Sequence, residues 1–292
     1  MNIEKALILG LNGGFGKLFS QLLSEEGISI FGIDLASQPD ILSKCSNYLC
    51  SDLSQPDKNA LALATEVDLL LICLPESVAF TALEYFVQVM PTNGLVVDTL
   101  SVKTPVAQKM ANTRTDVQLL SINPMFAPDL GFYKNNVAAI DLRPGLRSAS
   151  FISLMEKWGA NVTVMTASEH DRYTAITQVL THASIISFGL CLTKLGYETD
   201  KVLSVSTPVH RTMLTLFARI ASKDPEIYWR IQLDNPYAKQ AREALIESLE
   251  QLELLTCVNH QQEFCRILST NKESLSPFLD ELVADFSRIL KS

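Results

Sequence analysis

The chain has 292 residues, 47% hydrophobic and 19% charged, an ordinary globular composition with room for one large domain or two smaller ones. A formal net charge of −8 argues against nucleic acid or an anionic membrane surface as partner, and an anionic substrate would need its own local cations. Six cysteines without a CxxC pair and four scattered histidines predict reduced thiols and no metal site. No apolar run reaches the roughly 18 residues of a membrane span, and the opening Met-Asn-Ile-Glu-Lys has no signal-peptide layout, so a cytoplasmic protein is expected.

Residues 5–10 read as a short buried strand, followed by a glycine-rich turn and a helix over 15–26 marked by Phe15, Leu18, Phe19, Leu22 and Leu23. Gly27 ends that helix, and 28–33 reads as a second strand closed by Asp34. Further strand-like runs lie at 68–74, 94–98, 117–122, 136–142 and 161–165, with a helical stretch at 77–90. Strands alternating with helices predict an α/β fold with a doubly wound parallel sheet.

After about residue 166 strand signals fade and long helical periods take over, so the boundary falls there: an α/β domain over 1–165 and an all-α domain over 166–292. Thr166 or Ser168 suits the cap of the first helix, with Glu169 and Asp171 favourable in its first turn. His170, Thr174, Gln178 and His182 recur every four residues and predict one polar stripe along a mostly apolar helix.

Gly10, Gly13 and Gly16, with an extra Gly14, form a variant dinucleotide fingerprint; the strict GxGxxG would place glycine at Leu11. Its position between a strand and a helix carries the reading, since backbone amides at the helix N-terminus can face a pyrophosphate. Asn12, Phe15, Leu74 and Pro75 complete the expected cofactor-binding set. Asp34 follows at roughly the 20-residue offset where a carboxylate accepts hydrogen bonds from a ribose 2′-OH and repels a 2′-phosphate. NAD is the expected cofactor. The alternative, NADP, has Ser37 nearby but no arginine or lysine between Asp34 and Lys44.

Beyond the nucleotide fold, five ordered motifs carry a resemblance. Asp98-Thr-Leu-Ser-Val-Lys103 contains a Ser-Val-Lys motif after a strand, and Asn123-Pro-Met-Phe126 has the form of a catalytic loop. Trp158-Gly-Ala160 is followed by Glu169-His-Asp171, and Arg219-Ile-Ala221 by Asp224-Pro225. In this order they resemble the prephenate dehydrogenase family over nearly the whole chain. The resemblance implies a Rossmann-type NAD domain followed by an all-helical domain that forms a homodimer, and NAD(P)-dependent oxidative decarboxylation of a prephenate-like cyclohexadiene.

Carried over residue by residue, the resemblance implies Ser101 near the nicotinamide and Arg219 as the substrate-binding arginine, which suits a carboxylate because guanidinium binds it bidentately. Ser101 can equally be read as a cap or turn serine. Arg211 lies about 12 Å from Arg219 along a helix and can serve the same pocket or a surface ion pair. His182 matches a pocket-lining histidine of the family, with a satisfied core histidine as the alternative, and Gln178 shares its stripe. His170 reads as part of the helix cap and Lys103 as ordering its loop.

The family's catalytic histidine is replaced here by Asn123, which can hydrogen-bond but cannot accept a proton near neutral pH. Loss of hydride from a carbon bearing a hydroxyl needs a base, worth roughly 10²–10⁴-fold. A carbon bearing a neutral amine can expel hydride to an iminium without one. The expected substrate is therefore 4-amino-4-deoxyprephenate and the product 4-aminophenylpyruvate, toward 4-aminophenylalanine and secondary metabolites. The alternatives are a prephenate or arogenate dehydrogenase whose base is His182 or a water held by Ser101, and an inactive NAD-binding sensor. A 3-hydroxyacid-type enzyme would need a lysine on the long helix, and residues 170–190 contain none.

Overall fold

The computed structural model describes residues 3–36, 45–258 and 260–290. They divide into two compact units at Arg172 and Tyr173.

In the first unit β1 (Lys5–Leu9), β2 (Ser29–Asp34), β3 (Asn47–Cys50), β4 (Leu69–Ile72), β5 (Leu95–Asp98), β6 (Gln118–Pro124), β7 (Asn136–Arg143) and β8 (Asn161–Val164) make one sheet. Their order is β3-β2-β1-β4-β5-β6-β7-β8. Every pair is parallel except β6 with β7. That exception has a simple cause. Residues 125–135 between them hold one 3₁₀ turn, Pro128–Leu130, and a parallel return needs a crossover of a dozen or more residues, usually with a helix.

The sheet is wound on both faces, as the sequence predicts. On one face Phe19 and Leu23 of α1 (Gly14–Glu25) and Phe151 and Met155 of α5 (Leu146–Lys157) pack with Ile8, Leu71 and Val97. On the other, α2 (Lys58–Ala64), α3 (Glu76–Val89) and α4 (Thr104–Ala111) bring Ala60, Phe86 and Val106 against Leu7, Leu70 and Val96. Strands covered on both faces need near-continuous apolar runs, which is why β4 reads Leu-Leu-Leu-Ile. The short β3 has exposed ends and is not among the strands the sequence predicts. Since β2 and β4 flank β1 and the chain winds outward from it in both directions, the switch point lies at the carboxyl ends of β1 and β4.

The second unit is helical throughout its described residues. It comprises the end of the segment begun by α6 (Ala167–Thr174), a π turn over Ala175–Leu180, α7 (Thr181–Lys194), α8 (Thr199–Ser204), α9 (Pro208–Ala221), α10 (Pro225–Asp234), α11 (Ala238–Cys257), α12 (Gln261–Leu275) and α13 (Leu279–Ile289). Its own buried cluster is small, Ala175, Val179 and Ala238 with Ile231, Tyr237 and Ala241 packed on it. Leu195 (84%), Val205 (78%) and Trp229 (60%) are exposed, far more apolar surface than an isolated helical unit needs.

Two sequence expectations change. The stretch Ala167–Lys194 has an 18-residue window of mean hydropathy 1.5, long and apolar enough to cross a membrane by length and composition. The expectation that no apolar run reaches that length is corrected here: Thr, His and Ser residues are scattered through the stretch, but its mean hydropathy still passes. The even polar stripe is broken as well, because the π turn at Ala175–Leu180 changes the rotation between His170 and His182.

Candidate functional site

The turn after β1 is built by close backbone approach. Gly10 has φ +81°, and a Cβ there would lie 2.3 Å from the Cys73 carbonyl oxygen at the end of β4. A Cβ on Gly16 would stand 2.1 Å from the Gly10 oxygen and 2.8 Å from Leu11 Cα. Leu11, where the strict motif has glycine, turns inward and is fully buried, and a Cβ at Gly32 would stand 2.2 Å from its Cδ2. The missing glycine is thus compensated by another on the next strand. The α1 N-terminus has no side-chain cap and no acidic residue in its first turn, which leaves it suited to an anion.

Asp34 ties this turn to β2. Its Oδ2 accepts the Asn12 amide at 2.8 Å and its Oδ1 accepts the Leu35 amide at 2.7 Å, leaving lone pairs for ribose hydroxyls. The Asn12 side-chain amide donates to the Ala36 carbonyl and to the Tyr48 hydroxyl, while Asn12 Oδ1 is buried without a partner. A glycine cradle at a helix N-terminus, an acid at the end of β2 and an orphaned amide oxygen fit a dinucleotide. Tyr48 was not singled out by sequence, and its place beside Asn12 comes only from β3. Ser37 and Lys44, which bear on the NADP alternative, lie outside the described residues.

Phe15 and Gly14, both in the expected cofactor set, meet the loop after β6. The Phe15 ring packs edge-on against Phe126 at 5.9 Å, and a Cβ on Gly14 would meet Pro128 Cγ at 2.7 Å. Phe126 continues to Phe132 at 5.2 Å, and Phe132 to Phe19 and Trp158 at 5.3 Å each. This aromatic chain holds the 123–128 loop over the nucleotide turn. Leu74 and Pro75, also in the expected cofactor set, follow β4: Leu74 Cδ2 is 3.0 Å from the Cβ position of Gly10, and Pro75 precedes the first turn of α3.

At the ends of β5 and β6 the structure assembles a buried polar cluster. Lys103 is fully buried; its Nζ donates to Asp98 Oδ1 at 3.2 Å and to the Ile122 carbonyl at 2.6 Å. Burial pushes its amine below the ordinary lysine range although the Asp98 charge opposes that shift. Lys103 thus orders the loop, as the sequence reading has it. The adjacent Cys73 thiol is pushed up to about 12 by burial and stays protonated. Ser101 is exposed, and α4 has no side-chain cap, so the helix-cap alternative for Ser101 does not apply.

Asn123 is 4% exposed in β6, opposite Ala138 of β7. Its Nδ2 lies 3.0 Å from His170 Nε2, and His170 Nδ1 lies 2.8 Å from Asp171 Oδ1. Asp171 in turn accepts the Lys103 and Thr104 amides at 2.9 and 2.8 Å. Burial raises the Asp171 carboxyl, but the bonds from His170, Thr104 and Lys103 outweigh it and hold the group below the usual carboxylate range. His170 is therefore more than part of a cap. That task belongs to Thr166, whose Oγ1 accepts the Glu169 amide while Glu169 Oε2 accepts the Thr166 amide. The Glu-His-Asp motif was the available signal, but periodicity cannot tell which strand end a buried histidine meets.

In the second unit His182 is half-buried, its ring edge-on to Tyr228 at 5.2 Å and its Nδ1 buried without a partner. Burial lowers its basicity, and the charge of Arg219 adds to the effect, placing that exposed guanidinium close by. Neither Arg219 nor Arg211 forms an ion pair with the described residues. Gln178 lies within the π turn, half-buried. An apolar cavity of about 710 Å³ opens among Ile186, Phe217, Ile220, Tyr228, Trp229 and Leu233. Among the described residues no His, Cys, Asp and Glu cluster could hold a metal.

Residues 166–289 match the family profile described as prephenate dehydrogenase, dimerization domain. The chain is 34% identical over 248 residues to the 4-amino-4-deoxyprephenate dehydrogenase of Streptomyces pristinaespiralis, covering 85% of this chain and 83% of that one. It is 27% identical to the T-protein of Haemophilus influenzae over 86% of this chain, spanning 60% of that longer protein. Among solved structures, arogenate dehydrogenase of Synechocystis aligns with a TM-score of 0.71 at 17% identity, covering 94% of this chain and 99% of that one. Prephenate dehydrogenase from A. aeolicus, crystallised with hydroxyphenyl propionate and NAD+, aligns with a TM-score of 0.66 at 18% identity over 99% of both chains. At those identities the structural likeness speaks to the fold.

Proposed function

Because the chain belongs to the prephenate dehydrogenase family, we propose that it oxidatively decarboxylates 4-amino-4-deoxyprephenate to 4-aminophenylpyruvate. It is an NAD-dependent oxidoreductase of the prephenate type; the amino group at C4 is the finer part of the reading. The observation that carries it is Asn123, held by His170 in the loop where the family resemblance places a histidine.

NAD, when bound, supplies the hydride acceptor. Gly10, Gly13, Gly16 and the α1 N-terminus would hold its pyrophosphate and Asp34 its ribose. The neutral C4 nitrogen shares its lone pair with C4 as the C4–H bond breaks with its electron pair. The C1–carboxylate bond then breaks, CO2 departs, and its electrons run through the ring to neutralise the iminium. Neutral nitrogen is a stronger lone-pair donor than a hydroxyl oxygen, so a residue that accepts a hydrogen bond suffices where a hydroxyl substrate calls for a base to raise its donor strength. We assign the Asn123 carbonyl to orient the amine, Ser101 to the same neighbourhood, and Arg219, with Arg211, His182 and Gln178, to the substrate carboxylates.

The exposed Leu195, Val205 and Trp229, with the dimerization-domain match, support a homodimer in which Ala167–Lys194 is an interface helix and not a membrane span. We place the protein in the cytoplasm and the domain boundary near residue 166, where the family match begins. The relatives named for prephenate and arogenate make those substrates the second reading. NADH formation from prephenate, arogenate and 4-amino-4-deoxyprephenate in parallel decides between them. Efficient use of prephenate with the amino analogue untouched would sink the proposal, and NAD binding with no turnover of any would favour a sensor.

A further inference from the structure

An amide side chain shows either an oxygen acceptor or an NH2 donor to whatever faces it, and which one follows from its other hydrogen bonds. At Asn123 those bonds are set from behind. Asp171 accepts two backbone amides, so it is held as a carboxylate and can only accept from His170. His170 Nδ1, 2.8 Å away, must then carry the proton. In the neutral ring that leaves Nε2 as an acceptor, and the group 3.0 Å from it must donate. That group is Asn123 Nδ2. Asn123 Oδ1 accepts from no described residue and is not among the fully buried unpartnered atoms, so it is left open to an outside donor.

We infer that His170 is the positioning residue of the reaction: clamped by Asp171, it locks the Asn123 amide with its carbonyl oxygen toward the site, where it accepts from the donor that the substrate carries at C4. The inference deepens the reading of Asn123 as the group that meets a C4 amine, and rests on it. Lys103 closes the arrangement from the other side, its amide on Asp171 and its Nζ on the Ile122 carbonyl, so the strand end carrying Asn123 and the histidine's anchor are tied to one residue. The logic parallels the carboxylate that fixes a histidine tautomer in a catalytic triad, with the asparagine amide, not a nucleophile, as the group that is set.

The first test reads the ring directly. Long-range ¹H–¹⁵N correlation spectra of the full-length protein with labelled histidine should show neutral His170 as the Nδ1–H tautomer. An Nε2–H tautomer overturns the inference, and this readout stands whether or not the amino substrate is turned over. The second test compares His170→Leu with His170→Gln. Leucine cannot accept from Asn123, freeing the amide to flip, and should lower kcat for 4-amino-4-deoxyprephenate by about tenfold, one positioned hydrogen bond, with KM for NAD unchanged. Glutamine offers a carbonyl to Asn123 and an N–H to Asp171 and should recover most of that loss. Equal losses in the two variants, or a loss confined to melting temperature, refute the positioning role. A wild-type enzyme that ignores the amino substrate while keeping the Nδ1–H tautomer refutes the substrate reading instead.

Discussion

Asn123→His restores the residue type that the family resemblance places in this loop, and the structure says how it would be received. His170 Nε2 is an acceptor 3.0 Å from the present Asn123 Nδ2. An imidazole at 123 can donate one N–H to it and keep its second nitrogen as a base, oriented through His170 and Asp171. A positioned general base is worth roughly 10²–10⁴-fold, or about 3–5 kcal/mol of barrier. The site is tight, with Asn123 4% exposed, so the larger ring should cost about 1–3 kcal/mol of stability and bring the gain toward its lower end. We expect kcat with prephenate to rise about 10²-fold while turnover of the amino analogue stays level or falls. Initial rates of NADH formation with both substrates, alongside a melting curve to establish folding, make the measurement. A folded Asn123→His protein with unchanged prephenate turnover would refute the claim that the missing base separates the two chemistries.

Gly16→Ala places a Cβ 2.1 Å from the Gly10 oxygen and 2.8 Å from Leu11 Cα, both unyielding backbone. It should cost at least about 1–3 kcal/mol in urea unfolding and weaken NAD binding by fluorescence titration. Asp34→Asn keeps a side chain that can accept from Asn12 but removes the charge that repels a 2′-phosphate, so kcat/KM for NADP relative to NAD should rise. Arg219→Lys retains charge but loses the bidentate fork, and kcat/KM for the substrate should fall about 10–100-fold with NAD binding intact, as separate titrations would check. His182 has its basicity lowered by burial first and by Arg219 second, so the unfolded chain takes up its proton first as pH falls. This contribution to stability is complete above about pH 6.5 and is lost below it as pH falls through the folded value. Thermal melts between about pH 8 and pH 5 should show the loss, and His182→Gln should flatten it.

The alternation of apolar runs with helical periods, the glycines opening α1 and the acid closing β2 are local properties, so the doubly wound sheet and its cofactor end are legible along the chain. The replacement at Asn123 is legible too, as a departure from a motif. Other features depend on distant residues meeting. Leu11 is tolerated because Gly32 lies on the neighbouring strand, and the 123–128 loop sits over the nucleotide turn because Phe126 meets Phe15. The antiparallel β7 follows from the length of a loop, which periodicity does not register.

The sequence by itself marked the candidates for the chemistry: a nucleotide turn, an acid, a serine, an arginine, and an asparagine where a base would be expected. Only the tertiary structure decided what stands behind that asparagine. His170 and Asp171 lie nearly fifty residues downstream, on a segment whose periodicity reads as a capped helix, and a hydrogen bond across that separation has no local signature. Burial decided the rest. With Lys103, His170 and Asp171 withdrawn from water, each polar group must find a partner inside, and together their pairings set the direction in which the Asn123 amide points.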